Sequence, residues 1–411
     1  MSNRLAKATT PVIATLVSKL SVPKLSVPKL LVPKLLVPKL SVPRLAVTTL
    51  SILLSVFAVN ARAELAPEKY GVLTIDVLPV HSILVNTFSA SAIVFDADTQ
   101  QMLGMVSTGI GASAFEIDRK AGVMHTAETY LSRHTRGTRI DVISTYDLKT
   151  LSPIQEIEIL PKHASGSPQR AYTGLLQDGE TNLMLVSNIT PAVSISVADL
   201  NRAEFLTEIY TAGCGLVYPI PSLRFLQLCG DGTAQLIGLD TKGNEINRTR
   251  SRSFFSLDDP LSEKGVRTDK GWLFTTFEGK VFEISVENNN IEVQHQFEIA
   301  DISKGWRMGG MQPIALHANL NLLLVLVHQG GDGTHKDPGS EVWYYNLKDG
   351  RRTHRLTLAH ASDTIEVSQD DQSRLYAGSI VGGTIDIYDL RSTRHIGTIE
   401  DIGLPAIIQN L

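Results

Sequence analysis

The chain has 411 residues, of which 43% are hydrophobic and 19% charged, a composition typical of a globular protein rather than a disordered one. Nine of the 38 basic residues and none of the 42 acidic residues lie in residues 1–63, so the other 348 residues have a net charge of about −13. A body that acidic repels phosphate backbones, which disfavours nucleic-acid binding.

Residues 1–63 are typical of a leader rather than of a folded domain. A five-residue unit, V-P-[KR]-L plus one spacer, occurs five times in residues 22–45, and proline at every fifth position blocks helix formation. The apolar residues 46–60 and the sequence Ala61-Arg62-Ala63 match a secretory signal peptide that is cleaved before Glu64. A membrane anchor is the alternative, but the run is shorter than the roughly 18–20 residues that span a bilayer. We expect a cleaved leader at 1–63 and a periplasmic domain at 64–411 without a membrane span.

One sequence pattern recurs seven times in residues 64–411. It consists of a strand with alternating apolar and polar residues that ends in Asp or Asn, a polar turn, and a second strand of the same alternation. The first strands end at Asp96, Asp147, Asp199, Asp240, Ser285, Asn346 and Asp389, with the weakest copy at Ser285. Hairpins that recur at 41 to 61 residues are typical of four-stranded propeller blades. Helix signals are scarce, which disfavours α/β folds, and seven hairpins exceed what one β-sandwich uses. The sequence therefore predicts an all-β fold, a seven-bladed β-propeller.

No catalytic, cofactor-binding or metal-binding set is visible in the sequence. The 11 histidines form no H-x-H or H-E-x-x-H pattern, and there is no P-loop and no G-x-S-x-G. A propeller hydrolase with a channel metal would need a carboxylate–histidine set that the sequence lacks. Gly-Asp-Gly-Thr at 230–233 and 331–334 is similar to calcium-loop fragments, but tight turns with positive φ at glycine are the simpler interpretation. Gly309-Gly310 predicts a strand entry or β-bulge.

Cys214 and Cys229 are the chain's two cysteines, and they flank a strand–turn–strand segment of about 15 residues. In an exported protein, cysteines on neighbouring strands are well placed to form a disulfide. Closing such a loop stabilises by roughly 3 kcal/mol on the chain-entropy model. A redox-active pair is the alternative, although no C-x-x-C is present.

Several segments along roughly residues 90–400 match the motifs of one family in order. They are 129–142 (T-[YF]-x-x-R-x-x-R-G-x-R-x-D-[VY]), 187–199 (S-P-A-x-x-[IV], with Thr190 for serine), 212–214 with 229–232 (a disulfide hairpin), 304–310 (x-x-W-x-P-G-G, with Met308 for proline), and 333–336 with 341–343 (G-T-H-K and E-[IV]-W). Together they resemble the heavy (large) subunit of the quinoprotein amine dehydrogenases, above all the aromatic amine dehydrogenase type.

The resemblance implies a large subunit without a cofactor of its own. In that family two heavy and two light subunits assemble (α2β2), and the light subunit carries tryptophan tryptophylquinone. The complex oxidises primary amines to aldehyde and ammonia and passes electrons to a small periplasmic blue-copper protein. The heavy subunit shapes the substrate channel and docks the light subunit, a division in which the cofactor performs the chemistry and the protein orients it. The alternative is a periplasmic propeller scaffold or binding protein without redox activity.

The sequence departs from the family at the substrate channel. There the family has an aspartate–x–x–phenylalanine stretch in the first blade, whose phenylalanine lines the amine channel. Counting back from Phe95 without gaps places His81 and Leu84 at these positions, with Phe88 displaced by four residues. Leu84 and Phe88 are therefore the candidate channel residues.

Overall fold

In the computed structural model, residues 74–111 and 114–411 are described, and they form 29 β-strands and two short 3-10 helices. The predicted leader at 1–63 and the cleavage site before Glu64 lie outside the described residues, and both stay predictions. The strands form seven antiparallel sheets. This confirms the predicted all-β, seven-bladed propeller.

The blades follow one another along the chain, and blades 2 to 7 each begin with the strand nearest the propeller axis. Blade 1 contains β1 (Ser82–Thr87), β2 (Ser91–Asp96) and β3 (Gln101–Ser107); blade 2 contains β4 (Phe115–Asp118), β5 (Val123–Leu131), β6 (Arg139–Asp147) and β7 (Pro153–Ile159). Helix η1 (Arg170–Tyr172) precedes blade 3, which contains β8 (Thr173–Asp178), β9 (Thr181–Asn188), β10 (Ser194–Asp199) and β11 (Glu204–Tyr210). Blade 4 contains β12 (Cys214–Ile220), β13 (Arg224–Cys229), β14 (Ala234–Leu239) and β15 (Glu245–Arg250).

The remaining blades complete the ring. Blade 5 contains β16 (Val266–Arg267), β17 (Gly271–Thr275), β18 (Lys280–Glu287) and β19 (Asn290–Glu298). Helix η2 (Ile302–Lys304) leads to blade 6, which contains β20 (Trp306–Met308), β21 (Ile314–His317), β22 (Leu322–Gln329), β23 (Gly339–Asn346) and β24 (Arg352–Ser362). Blade 7 contains β25 (Thr364–Val367), β26 (Arg374–Ser379), β27 (Thr384–Asp389) and β28 (His395–Ile399). The last strand, β29 (Pro405–Asn410), pairs antiparallel with β1 and becomes the inner strand of blade 1, which closes the ring.

The seven predicted hairpins are the third and fourth strands of the seven blades. In six of them the Asp or Asn side chain accepts a backbone N–H two or three residues later, which forms an Asx turn. The seventh hairpin, in blade 5, turns instead through Asn288 and Asn289 at φ 48° and 63°. A two-residue turn needs positive φ at both positions and no capping carboxylate, which explains why this copy is the weakest in the sequence.

Seven hydrophobic clusters hold the ring together, and each lies between two successive blades. Side chains alternate along a strand between its two sides. In β1, for example, Ile83 and Val85 pack against blade 7, whereas Leu84 packs against blade 2. The blades are therefore buried on both sides, which explains the near-continuous apolar runs of their middle strands.

The inner strand of blade 6 is interrupted, because β20 and β21 both pair with β22 and residues 309–313 bulge between them. A Cβ atom at Gly309 would lie 2.2 Å from the carbonyl oxygen of Asp337, and Gly310 has φ 98°. Only glycine fits both positions. The predicted bulge at Gly309-Gly310 is confirmed.

Loops leave the propeller at two opposite faces, because successive strands are antiparallel. The linker face holds the links between blades and the turns between second and third strands, at residues 88–90, 108–111, 132–138, 160–172, 189–193, 211–213, 230–233, 251–265, 276–279, 299–305, 330–338, 363, 380–383 and 400–404. The Asx face holds the other turns, at residues 97–100, 119–122, 148–152, 179–180, 200–203, 221–223, 240–244, 268–270, 288–289, 318–321, 347–351, 368–373 and 390–394.

Candidate functional site

The family-like motifs gather on the linker face, although they come from different blades. The segments that reach it are 132–138, 189–193, 211–213, 230–233, 304–305 and 333–336. Backbone hydrogen bonds join them to neighbouring loops, such as Gly230 N–H to the Gly213 carbonyl at 3.0 Å and Gly330 N–H to the Gly305 carbonyl at 3.1 Å. The motifs therefore describe one surface of the folded protein.

In blade 2 the motif residues form a buried ion-pair network. Arg139 donates through Nε and Nη2 to the fully buried Asp141, both at 2.7 Å, and Thr129 donates its hydroxyl to Asp141 at 2.9 Å. Asp141 also accepts the backbone N–H of His163, whose carbonyl accepts from Arg139, both at 2.9 Å. Burial lowers the pKa of the His163 imidazole. This network fixes the link 160–172 to the hairpin of β5 and β6.

A second buried carboxylate in blade 2 belongs to Glu128. It accepts the backbone N–H of Gly109 at 3.1 Å and the hydroxyls of Ser144, Tyr130 and Tyr146. Burial raises the pKa of Glu128, although these hydrogen bonds act in the opposite direction. Glu128 thus ties the link after β3 to the middle of blade 2.

In blade 6 the W-x-x-G-G and E-V-W motifs meet at one aromatic cluster. The rings of Trp306 and Trp343 are 5.0 Å apart, and the guanidinium of Arg355 lies over both, at 4.9 and 5.1 Å. Glu341 accepts from Trp343 Nε1 at 2.7 Å and from Arg355 Nε and Nη2 at 2.8 and 2.9 Å. Cation–π contacts of this kind stabilise a fold. These motif residues therefore shape the blade that carries residues 330–338.

Cys214 and Cys229 lie directly opposite each other on β12 and β13 and form a disulfide with an S–S distance of 2.07 Å. The predicted pairing is confirmed. The adjoining turn at 230–233 has Gly232 at φ 83°, and the similar turn at 331–334 has Gly333 at φ 82°. Both Gly-Asp-Gly-Thr sequences are tight turns with positive φ at glycine, as predicted.

A cavity of about 310 Å³ occupies the propeller axis and takes lining residues from all seven blades. Arg170 Nη1 donates to Glu366 Oε2 at 2.8 Å, and Gln312 Nε2 donates to the same oxygen at 3.1 Å. Glu116 accepts the Thr173 hydroxyl at 3.0 Å. Burial raises the pKa of Glu116, against the opposing effect of Thr173 and of two nearby guanidiniums.

A smaller cavity of about 100 Å³ adjoins the axial cavity and shares Lys264 and Met311 with it. It brings together part of the G-T-H-K and W-x-x-G-G motifs, because His335, Lys336, Met308 and Gly310 line it. The His335 ring stacks on Phe277 with centroids 4.3 Å apart. Burial lowers the pKa of Lys264, whose Nζ donates to the Pro168 carbonyl at 2.9 Å. This cavity lies beside linker-face loops at one end of the axis.

The two candidate channel residues have different environments. Leu84 is fully buried in the cluster between blades 1 and 2. Phe88 is 42% exposed at the linker face, where its N–H donates to the Leu404 carbonyl at 3.2 Å. His81, three residues before Leu84, is buried and paired with Asp98 at 2.6 Å and Asp370 at 3.2 Å. The channel role of Leu84 and Phe88 stays a prediction.

The charged residues of the axial cavity were not predicted from the sequence. Arg170, Arg267, Glu116 and Glu366 are far apart in the sequence and form no local motif. The one pattern that could have indicated them is a charged residue within a short apolar inner strand, as in Phe115-Glu116-Ile117. Within residues 74–111 and 114–411, no group of three or more His, Cys, Asp or Glu side chains is arranged to hold a metal ion. In the same part of the chain, no helix has the length and apolarity to cross a membrane.

The fold places the chain among the β-propeller proteins. It is similar to a protein of unknown function from Desulfotomaculum acetoxidans, at 11% identity and a TM-score of 0.56, covering 80% of this chain and 98% of that one. It is also similar to a dihydro-heme d1 dehydrogenase, at 12% identity and a TM-score of 0.53, covering 82% and 76% of the two chains. At these identities the likeness shows the fold alone.

The sequence profile of the methylamine dehydrogenase heavy chain family matches residues 79–410, and the chain belongs to that family. It is 26% identical over 313 residues to the heavy chain of Methylobacillus flagellatus, covering 75% of this chain and 78% of that one. It is 27% identical over 315 residues to the heavy chain of Methylophilus methylotrophus, covering 75% and 76%. The predicted relation to the heavy subunit of quinoprotein amine dehydrogenases is confirmed. The likeness to the aromatic type stays a prediction.

Proposed function

We propose that this chain is the large subunit of a periplasmic amine dehydrogenase that oxidises primary amines to aldehyde and ammonia. The family match over residues 79–410 is the observation that carries the proposal. Water supplies the aldehyde oxygen, and two electrons leave one at a time for a small blue-copper protein. Tryptophan tryptophylquinone, on a light subunit, supplies the oxidation, so this chain needs no cofactor of its own.

The linker face is the proposed docking surface for the light subunit in an α2β2 assembly. Its loops expose six large hydrophobic side chains, at 40 to 91% of their surface: Phe88, Ile110, Ile189, Leu257, Val381 and Leu404. On the described part of the Asx face the exposed large hydrophobic residues are Leu320 and, in the segment that leads to β1, Val77 and Val80. Apolar side chains exposed together mark protein interaction sites. The same face carries the family-like motifs, which supports a docking role.

Phe88 is the proposed channel residue, because it is exposed on the surface that would meet the light subunit. Leu84 has an indirect role in this proposal. Its buried side chain fixes β1, which ends at the turn that carries Phe88. The heavy chain thus positions the amine, and the oxidising group comes from its partner.

Arylalkylamines are the proposed preferred substrates over methylamine. The G-T-H-K and E-V-W segments resemble the aromatic type, and His335 with Phe277 offers a flat aromatic surface beside the axial cavity. Aromatic rings stack favourably on such surfaces. The comparison of 2-phenylethylamine with methylamine tests this preference separately from the subunit assignment.

The proposal is tested by reconstitution with the cognate light chain. The purified large subunit alone should show no amine-dependent dye reduction, and activity should appear on mixing.

The Phe88→Ala variant tests the channel role. It should change the ratio of the kcat/KM values for 2-phenylethylamine and methylamine by about tenfold, a typical effect of altering a hydrophobic pocket. Leu320→Ala is the matched control, because Leu320 is 43% exposed on the Asx face, and it should leave the ratio unchanged. Amine turnover by the lone chain would contradict the assignment, and failure to bind any light chain would favour a scaffold.

A further inference from the structure

The axial cavity contains one guanidinium without a partner. Among the described cationic residues that line it, Arg170 pairs with Glu366 at 2.8 Å, Lys264 lies 3.6 Å from Glu263, and Arg119 donates to the Asn410 carbonyl at 2.9 Å. Arg267, on β16, is exposed to solvent where it lines the cavity, and it has neither a side-chain hydrogen bond nor an ion pair. A guanidinium presents five donors in a planar fork, which suits a carboxylate.

The nearby carboxyl group of Glu116 forms no ion pair with Arg267. Glu116 instead accepts the Thr173 hydroxyl at 3.0 Å. Burial raises the pKa of Glu116, whereas the positive charge of Arg267 acts in the opposite direction. The cavity thus offers a cation that no carboxylate contacts directly.

One wall of the cavity is aromatic and apolar. The partly exposed side chains of Trp272 and Val266 form it, and the buried ring of Tyr218 supports the indole edge to face at 5.2 Å. Trp272 Nε1 donates to the Pro219 carbonyl at 2.9 Å, so the indole is fixed in place. The volume of about 310 Å³ is at the lower end of the range for small-molecule sites.

The cavity has an approach from the Asx face. An opening bounded by Pro221, Thr268 and Asp269 shares Pro219 and Arg267 with the cavity. A small molecule can therefore reach Arg267 without crossing the linker face. Access from this side is independent of the proposed docking of a light subunit.

We propose that the axial cavity binds a small organic carboxylate with an apolar body. The carboxylate pairs with the guanidinium of Arg267, and the apolar body packs on the wall of Trp272 and Val266. Charge-assisted bidentate pairing gives such a site its selectivity over neutral molecules of the same shape.

Isothermal titration calorimetry of the full chain tests this with three matched probes: phenylacetate, phenylacetamide and 2-phenylethylamine. Phenylacetate should bind with 1:1 stoichiometry and at least about tenfold more tightly than the other two. Arg267→Gln should weaken phenylacetate binding by about tenfold or more. It removes no ion pair from the fold, so its thermal unfolding should match the wild type. Arg391→Gln, in an exposed turn of the Asx face, is the matched charge control and should bind like the wild type.

Glu116→Gln provides an independent check, because it removes a carboxyl group that would repel a bound carboxylate when ionised and introduces an amide that donates hydrogen bonds. This variant should bind phenylacetate at least as tightly as the wild type, and a tenfold loss would overturn the assignment. The proposal also fails if phenylacetate shows no saturable binding to the folded chain, or if Arg267→Gln binds it unchanged. Tighter binding of 2-phenylethylamine would overturn it in favour of a cation site.

Discussion

The two faces of the propeller are built by different means. On the Asx face, most turns are short, and six of the third-to-fourth-strand turns are closed by their own Asp or Asn side chain. On the linker face, loops such as 160–172 and 251–265 are held by contacts with segments far away in the sequence. Local turns build the scaffold, and long-range contacts build the surface where the family motifs lie. Binding residues commonly occupy such loops on a rigid scaffold.

The largest effect is expected at Gly310, which lies in the blade 6 bulge and packs against Asp363 of the linker face. This residue has φ 98°, and a Cβ atom there would lie 2.3 Å from the carbonyl oxygen of Asp363. Gly310→Ala combines backbone strain with a clash against fixed main chain, and should cost about 4 kcal/mol of unfolding free energy. Urea unfolding followed by tryptophan fluorescence measures this loss.

Gly403 is the matched control for Gly310. It also has positive φ on the linker face, at 85°, but its Cβ position has no neighbour within 4 Å. Gly403→Ala should therefore cost only the backbone term, about 1 kcal/mol. Equal losses for the two variants would show that the close approach to Asp363 is not what stabilises the bulge.

The disulfide is the next strongest constraint at the linker face. Replacing Cys214 and Cys229 together by serine should lower the unfolding free energy by about 3 kcal/mol. Without the bond, the loop of about 15 residues is no longer closed in the unfolded chain, whose conformational entropy therefore rises. Reduction of the wild type should produce a similar loss. Thiol labelling of the unfolded, non-reduced protein should find no reactive cysteine, and two labelled thiols would contradict the bond.

The difference between the faces is tested directly by placing a charge on each. Val381 is 91% exposed on the linker face, so Val381→Arg should leave folding intact. It should weaken light-subunit binding by about 2–3 kcal/mol, or roughly 100-fold, if it lies in the core of the interface. Leu320→Arg, on the Asx face, should have no effect on binding. Surface plasmon resonance with immobilised light subunit measures both, and equal affinities would reject the linker face as the docking surface.

The Asx-face hairpins were predictable from the sequence, because each has a local signal in strand alternation and an Asp or Asn at the turn. Asp96 and Asp389 are examples in which the capping side chain and its N–H partner are neighbours in the chain. The blade 5 hairpin was the hardest to identify, since Asn288 and Asn289 use backbone conformation instead of a side-chain cap. The blade count followed from these local patterns, and the disulfide from the spacing of the two cysteines around a strand–turn–strand segment and from the family resemblance.

The axial cavity was not predictable, because no short segment contains it. Arg170 and Glu366 form an ion pair across 196 residues of sequence, and the inner strand that carries Arg267 is two residues long. The channel prediction had a related difficulty. Sequence counting treats Leu84 and Phe88 alike, whereas the strand places Leu84 inside the core and the turn exposes Phe88. The packing of successive blades against each other decides which of the two side chains is buried. No short stretch of sequence encodes that packing.

The smallest expected effect distinguishes an Asx-face turn from the buried middle of blade 2 by the sign of the pH dependence of stability. The N–H and hydroxyl of Ser392 hold the pKa of Asp389 below its usual value on the Asx face, whereas burial raises the pKa of Glu128 in blade 2. A lowered carboxyl pKa contributes stability that is present above about pH 4 and is lost as the pH falls through the folded-state pKa. A carboxyl group with a raised pKa has the opposite effect: the free energy of unfolding falls as the pH rises above about 4.5.

Urea unfolding of Asp389→Asn should therefore show a smaller loss of unfolding free energy from pH 5 to pH 3 than the wild type. The difference should be less than about 1 kcal/mol, because solvent screens the charge in this turn. Glu128→Gln should instead remove a loss of unfolding free energy that the wild type shows as the pH is raised from 5 to 8. If both variants altered the same pH range, the two carboxylates would not differ in environment as the structure describes.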